Sequence, residues 1–408
     1  MEFNFQWIAG SISTGGCELG EAFLVAQLIE DPEENRAPSS AAWQREWEHM
    51  AKRKEAMALQ SDLKGHTVSA REAYLIASNY YRAALISMLP YEKGHEDKRN
   101  DKFFEVAAKY KACFREMAKR MVTPIEFFDV KIALEDGNGF APVPMPCYFI
   151  RPDDSDTPRP TLMMVGGGET FMEELFVYIA PFALRRGYNF LTFDLPGQGV
   201  LPTHGLHFRK DTETQIGAVL DEAFARFPQI DPEKLVAFGM SNGGYFVPRA
   251  AAEANKSRIR ALAVSNAVTD NYKMFREMPF APREGETPEQ TRARIAAWEP
   301  FRHDVTAAVA YRWGTDIPGQ VQATEGFVFD PSKIPCPCLA LVSSGELSGE
   351  AERQQYDFMK RLPNHRMNKM IISDSEMGAS SHCLAENRSY LAQVLFDWFD
   401  EVLADEGD

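Results

Sequence analysis

Leu235-Val236-Ala237-Phe238-Gly239-Met240-Ser241-Asn242-Gly243-Gly244 is an apolar run that flows into the pattern G-x-S-x-G and then into a helix-forming stretch beginning around Tyr245. Four apolar residues in succession suit a strand covered on both faces. Gly239 and Gly243 then let strand and helix approach closely around a tight turn, which exposes the Ser241 hydroxyl at the C-terminal edge of a sheet. The plain alternative is a glycine-rich strand-to-helix turn without chemistry. It is weighed by what stands elsewhere in the chain.

Apolar runs recur on both sides of this stretch, at 162–165, 190–193, 261–264, 338–342 and 370–372, alternating mostly with helical or loop segments. This predicts an α/β fold with a mostly parallel central sheet flanked by helices. The β-rich runs 125–132 and 147–150, separated by the Gly- and Pro-containing stretch 136–146, predict an entry hairpin. Upstream, 41–119 is helical in pattern, and Phe103, Val106, Tyr110, Phe114 and Met117 share one helix face. Ser69 and Glu72 predict a capping box for a helix through Tyr74, Ala77, Tyr81 and Met88 that Pro90 ends. The aromatic-rich stretch 271–333 is too long for a structureless loop and predicts a partly helical insertion. The resulting division is an N-terminal helical cap at 1–120, the first part of the core at 121–270, a lid insertion at 271–333 and the second part of the core at 334–408.

A serine hydroxyl is a weak nucleophile until a base takes its proton. Of the eight histidines, His382 follows the last strand-like run and the loop 373–381 and precedes a final amphipathic stretch ending near Val402, which is the place this scaffold gives its base. His365 sits on a polar turn with Pro363 and Asn364, and His204 and His207 follow the turn at 194–199. An acid is expected on the loop after the run 338–342, where Glu346 comes first and Glu350 is its rival. Asp374 is disfavoured because it lies on the same strand-loop unit as the base. Two backbone N–H groups are needed for a developing oxyanion. Asn242 should supply one, and Gly167 or Gly168, in the loop Val165-Gly166-Gly167-Gly168-Glu169-Thr170, the other. A phosphate loop is a poor alternative there, lacking both G-x-G-x-x-G and G-K-[ST].

The formal net charge of −15 and isoelectric point near 5.1 disfavour nucleic acid and anionic membrane surfaces as partners. No run is long and apolar enough for a spanning helix, and Met1-Glu2-Phe3-Asn4 lacks the positive start of a signal peptide, so a cytoplasmic protein is expected. The six cysteines are scattered, and Cys336-Pro337-Cys338 has neither zinc nor redox spacing. No metal or cofactor is implied. A homodimer is carried as an expectation.

Taken together, the helical N-terminal part, G-G-G-E-T (166–170), D-L-P-G-Q-G (194–199), G-M-S-N-G-G-Y (239–245), S-G-E-L-S-G-E (344–350) and S-S-H-C (380–383) resemble one branch of the α/β-hydrolases. That branch holds 2,6-dihydroxypseudooxynicotine hydrolase, the fermentation/respiration switch protein type and the fungal heptaketide hydrolyases of melanin synthesis. The resemblance runs over nearly the whole chain from about Ser69. It implies Ser241 as nucleophile, Glu346 as acid, His382 as base, and Asn242 with the region of Gly168 as backbone donors. The acid is often Asp in that branch, so Glu346 is a departure.

Two members cleave a carbon–carbon bond beside a carbonyl in an aromatic or polyketide-like ketone, and others resemble plain esterases. The expected function is therefore hydrolysis of a small aromatic or polyketide-like acyl compound. An acyltransferase or cyclase using the same residues, and a non-catalytic binding protein on a hydrolase scaffold, are the alternatives. The intact serine, histidine and acid set argues against the last. The pocket is expected between the C-terminal edge of the sheet, the insertion and part of the N-terminal helices, with Trp298, Tyr311, Trp313 and Phe327 favouring a flat, apolar substrate.

Overall fold

The computed structural model describes residues 2–30, 39–135, 137, 139–255 and 258–405. The apolar runs pair into an eight-stranded sheet made of β1 (Ile125–Val130), β2 (Met145–Ile150), β3 (Arg159–Val165), β4 (Asn189–Phe193), β5 (Ile230–Met240), β6 (Ala261–Ser265), β7 (Cys338–Ser343) and β8 (Lys369–Ser373). Across the sheet they run β8-β7-β6-β5-β3-β4-β2-β1. From β8 to β4 every neighbouring pair is parallel, while β1 with β2 and β2 with β4 are antiparallel. The inner parallel strands β3, β4, β6 and β7 are almost wholly buried because helices cover both faces, while the edge strand β8 is partly exposed. This is the α/β-hydrolase architecture. β1 and β2 form the expected entry hairpin, although Asp136 and Asn138 of their connection lie outside the described residues, as does Met1.

The strand order reverses at β3. From there the chain first builds outward through β4 and then returns to the other side as β5. Such a reversal leaves a crevice at the carboxyl ends of the strands. Val165 at the end of β3 lies in register with Gly239 near the end of β5, so the loops that follow these two strands emerge side by side.

The N-terminal helices are α1 (Glu2–Ala9), α2 (Leu19–Glu30), α3 (Ser40–Leu63), α4 (Thr67–Leu85) and α5 (Asp101–Ala118), with a short hairpin, Tyr91–Glu92 against His95–Arg99, between the last two. The predicted face of α5 is buried at all five positions. The capping box at Ser69 is not formed. Ser69 lies exposed inside α4, which starts at Thr67 after Gly65 turns the chain, because the Ala70 N–H finds the His66 carbonyl at 2.9 Å and extends the helix by a turn. The helix also ends at Leu85, ahead of Pro90.

The core continues with α6 (Met172–Arg185), α7 (Thr212–Arg226) and α8 (Gly243–Ala252). The stretch 271–333 holds α9 (Asn271–Arg276), α10 (Pro288–Ala296), α11 (Pro300–Arg312) and α12 (Gln320–Ala323), and the chain closes with α13 (Gly349–Arg361) and α14 (Arg388–Ala404). One apolar cluster joins the sheet to α6, α14 and the N-terminal helices, and a second joins the opposite face to α7, α8 and α13. Among the described residues no helix is long and apolar enough to cross a membrane.

Candidate active site

The turn after β5 holds Ser241 at φ 54°, in the left-handed region, a conformation that costs a side-chain-bearing residue about 1–3 kcal/mol and persists only when its surroundings impose it. Here the surroundings are close. The Ser241 N–H donates to the Ser265 carbonyl at 2.6 Å, and a Cβ on Gly239 would meet the Gly243 carbonyl oxygen at 2.2 Å. Only glycine lets β5 and α8 pack this tightly, and the tight packing thrusts the hydroxyl outward.

His382 reaches that hydroxyl from the loop after β8. Its Nε2 lies 2.9 Å from Ser241 Oγ, and its Nδ1 is hydrogen-bonded to Glu346 Oε1. Cys383 and Leu384 both have positive φ, 59° and 55°, so the chain turns sharply immediately after the imidazole. The Tyr178 hydroxyl, from α6, donates to the Cys383 carbonyl and anchors the turn. Glu346 is held in place as well. Its Oε2 accepts from Ser343 Oγ at 2.8 Å and from the Cys383 N–H at 3.4 Å.

Burial works against a charged Glu346, but the His382 imidazole and the hydrogen bonds from His382, Ser343 and Asn266 outweigh it and hold the carboxyl at about 2. The reciprocal effect acts on His382. Burial disfavours its cation, while Cys383 and the Glu346 carboxylate favour it more strongly and raise its pKa well above 6.5. An imidazole acting as base must be neutral, so a raised pKa moves the loss of activity upward in pH. Hydrolysis of an aryl ester should therefore fall on acidification with a midpoint above 6.5. A profile flat from pH 8 down to about 5 would remove His382 from that role.

The other acidic and basic candidates lie apart from this line. Glu350 accepts from Arg353 at 2.8 Å and Gln354 at 3.0 Å in the first turn of α13. Asp374 caps its own turn through the N–H groups of Glu376 and Met377, and His365 accepts from the Met367 N–H. The His207 ring packs edge-on against Tyr311, with centroids 6.0 Å apart.

The glycine loop after β3 divides the expected roles. The Gly167 N–H already donates to Thr170 Oγ1 at 2.7 Å, so it is not available to an oxyanion, and the expectation of Gly167 as donor is corrected. Gly167 is needed for a different reason, since a Cβ there would come within 2.6 Å of Ser241 Cβ. Gly168 and Asn242 both border the cavity beside Ser241, and among the described residues their N–H groups have no hydrogen-bond partner.

The loop is braced from three directions that sequence reasoning missed. Gln198 Nε2 donates to the carbonyls of Gly166 and Gly167 at 2.8 and 3.0 Å. Arg82 of α4, paired with Glu174 at 2.8 Å, donates to the Glu169 carbonyl at 3.0 Å. Arg312 of α11 holds the carbonyls of Gly197 and Gly199 at 3.0 and 3.1 Å, and the Gly199 N–H in turn binds the Thr170 carbonyl. The N-terminal helices and the insertion thus both act on the loop that carries Gly168. A lone arginine inside the apolar run Tyr80-Tyr81-Arg82-Ala83-Ala84-Leu85 was the available signal.

A cavity of about 370 Å³ opens in front of Ser241. Its wall comes from the insertion and the sheet edge, with Met274, Phe275, Phe280, Val309 and Trp313 supplying the apolar part. Of the four aromatics expected there, Trp313 alone lines it. Phe327 packs on Tyr245 and Trp313, Tyr311 on Tyr91, and Trp298 lies against Arg302. Among the described residues none of those lining the cavity comes from 1–120, which corrects the expectation that the N-terminal helices form part of the pocket. The N-terminal stretch supports α11 instead, through Trp43 of α3 on Phe301 at 4.9 Å and Lys93, in the hairpin turn, on Asp304 at 2.6 Å.

Comparison with known proteins agrees with this architecture. The FrsA-like esterase model matches residues 38–279. The chain belongs to the FrsA-like esterase family. It is 30% identical to the hydrolase acrC of Aspergillus aculeatus over 67% of this chain and 63% of acrC, so it spans less than two thirds of that relative's length. It is 32% identical to the hydrolyase poxO of Penicillium oxalicum, over 74% of this chain and 67% of poxO. The solved structure of 2,6-dihydroxy-pseudo-oxynicotine hydrolase has a TM-score of 0.64 at 20% identity, covering 97% of this chain and 95% of that one, a likeness of fold.

Proposed function

We propose that this protein is a serine hydrolase that cleaves a small aromatic or polyketide-like acyl compound, at an ester or at a carbon–carbon bond beside a carbonyl. The observation that carries the reading is the hydrogen-bonded line from Ser241 Oγ through His382 to Glu346. His382 accepts the serine proton as the oxygen attacks the substrate carbonyl, and Glu346 fixes the imidazole with Nδ1 protonated and stabilises the imidazolium. The N–H groups of Gly168 and Asn242 receive the oxyanion. His382 then returns its proton to the departing alkoxide or enolate carbon, and water, activated by the same imidazole, releases the acid from the acyl-enzyme.

The cavity supports a small, largely apolar substrate, since its walls are methionine, valine and aromatic side chains and its volume suits a molecule of one or two rings. The helices of 1–120 and the insertion 271–333 then act as cap and lid by holding the walls and the glycine loop in place. A matched panel of aryl esters and aryl β-diketones tests the reading. Turnover of at least one class, lost in the same samples when a fluorophosphonate occupies Ser241, is expected. Full turnover after complete labelling would overturn it.

A further inference from the structure

The cavity is not apolar throughout. Asn271 opens α9, Gln320 opens α12, and both are buried residues that line the cavity, as Trp313 does. The backbone of this corner is satisfied, with the Asn271 N–H on the Phe327 carbonyl at 3.0 Å and the Gln320 N–H on the Ile317 carbonyl at 3.4 Å. The side chains are not. Neither Nδ2 nor Oδ1 of Asn271 has a hydrogen-bond partner among the described residues. Gln320 donates Nε2 to the Ile317 carbonyl at 3.1 Å and leaves Oε1 unpartnered, and the Trp313 indole N–H is unpartnered too.

Unpaired buried polar atoms are destabilising, and packing does not require them here. Leucine in place of Asn271 and methionine in place of Gln320 would fill similar volumes and match the neighbouring Met274, Phe275 and Phe280. Two amides and an indole left unsatisfied among residues that line the cavity together with Met274, Phe275 and Phe280 are suited to a polar group that arrives with a ligand.

We infer that Asn271, Gln320 and Trp313 form a subsite that recognises a neutral carboxamide or hydroxyl on an otherwise apolar substrate, an inference that rests on the serine hydrolase reading for what happens to that substrate. The free atoms are two acceptors, Asn271 Oδ1 and Gln320 Oε1, and two donors, Asn271 Nδ2 and Trp313 Nε1. A carboxylate would meet the donors but also two acceptor oxygens, and among the described residues no lysine or arginine lines the cavity, whereas Glu169 and Glu346 do. An ammonium would leave the indole N–H unmet. A carboxamide or hydroxyl brings a donor and an acceptor together and satisfies both kinds of atom. The substrate is then held at the insertion end by this group while its reacting carbonyl lies at Gly168 and Asn242.

The test uses the Ser241→Ala protein, so that binding is measured without turnover. It is titrated calorimetrically with 2-naphthamide, 2-naphthol, 2-methylnaphthalene and 2-naphthoate. Adding Asn271→Leu or Gln320→Met should lower the affinity for the amide or the alcohol, relative to the methyl compound, by about tenfold or more, and the naphthoate should bind most weakly. An unchanged ratio in folded variants, tightest binding of the naphthoate, or binding of none of the four would each overturn the inference. If Asn271→Leu does not fold, Gln320→Met carries the measurement alone. Fluorophosphonate labelling of Ser241 in the wild-type protein reports on the hydrolase reading separately, because it needs no contact with this corner.

Discussion

Ser241→Ala should lower turnover by about six orders of magnitude and leave the unfolding temperature unchanged. The substitution removes one oxygen and keeps everything that shapes the turn. The backbone N–H still donates to Ser265, the carbonyl still accepts from the Gly244 N–H at 2.8 Å, and Cβ still faces Gly167. Alanine at φ 54° carries the same strain as serine, so the folded state loses no packing. What disappears is the atom that meets His382 Nε2 and that the proposed mechanism deprotonates. Steady-state hydrolysis of an aryl ester, with thermal unfolding of both proteins followed in parallel, checks both halves. Turnover within about tenfold of wild type would move the nucleophile elsewhere.

The elements most legible in the sequence are those whose physics is local. An apolar run, two glycines and a following helix place Ser241, because strand, turn and helix are consecutive in the chain. His382, whose imidazole meets the Ser241 hydroxyl, was reachable through chain order, since it follows the last strand-like run. The failures have a different origin. The S-x-x-E pattern at Ser69 is a local signal, but it competes with a helix start three residues earlier, capped at His66, that the turn at Gly65 makes available. The insertion's aromatics were visible as composition, whereas their facing depends on tertiary packing, so Trp313 meets the cavity while Trp298 covers Arg302 outside it. Arg82 was visible as an anomaly in an apolar run. Its meaning depends on Glu174, 92 positions away, and on a backbone carbonyl, which no spacing rule connects.

Glu346→Gln and Glu350→Gln should separate sharply, the first losing turnover by a factor on the order of 10⁴ and the second by less than about threefold. Both changes keep size and remove charge. At Glu346 the amide can present its NH₂ to His382 Nδ1, which drives the proton onto Nε2 and leaves Ser241 without an acceptor. At Glu350 the carboxylate serves Arg353, whose own side chain is exposed, and Gln354 at the start of α13, and it makes no contact with His382 or Ser241 among the described residues. The pH profile adds a second readout. Glu346 helps raise His382 above 6.5 by stabilising the imidazolium, so removing the negative charge makes the proton easier to lose, and the acid limb of the residual activity should move to lower pH. A purely structural role for Glu346 would lower activity without moving that midpoint. Equal small losses in the two variants would place the carboxylate partner of His382 elsewhere in solution.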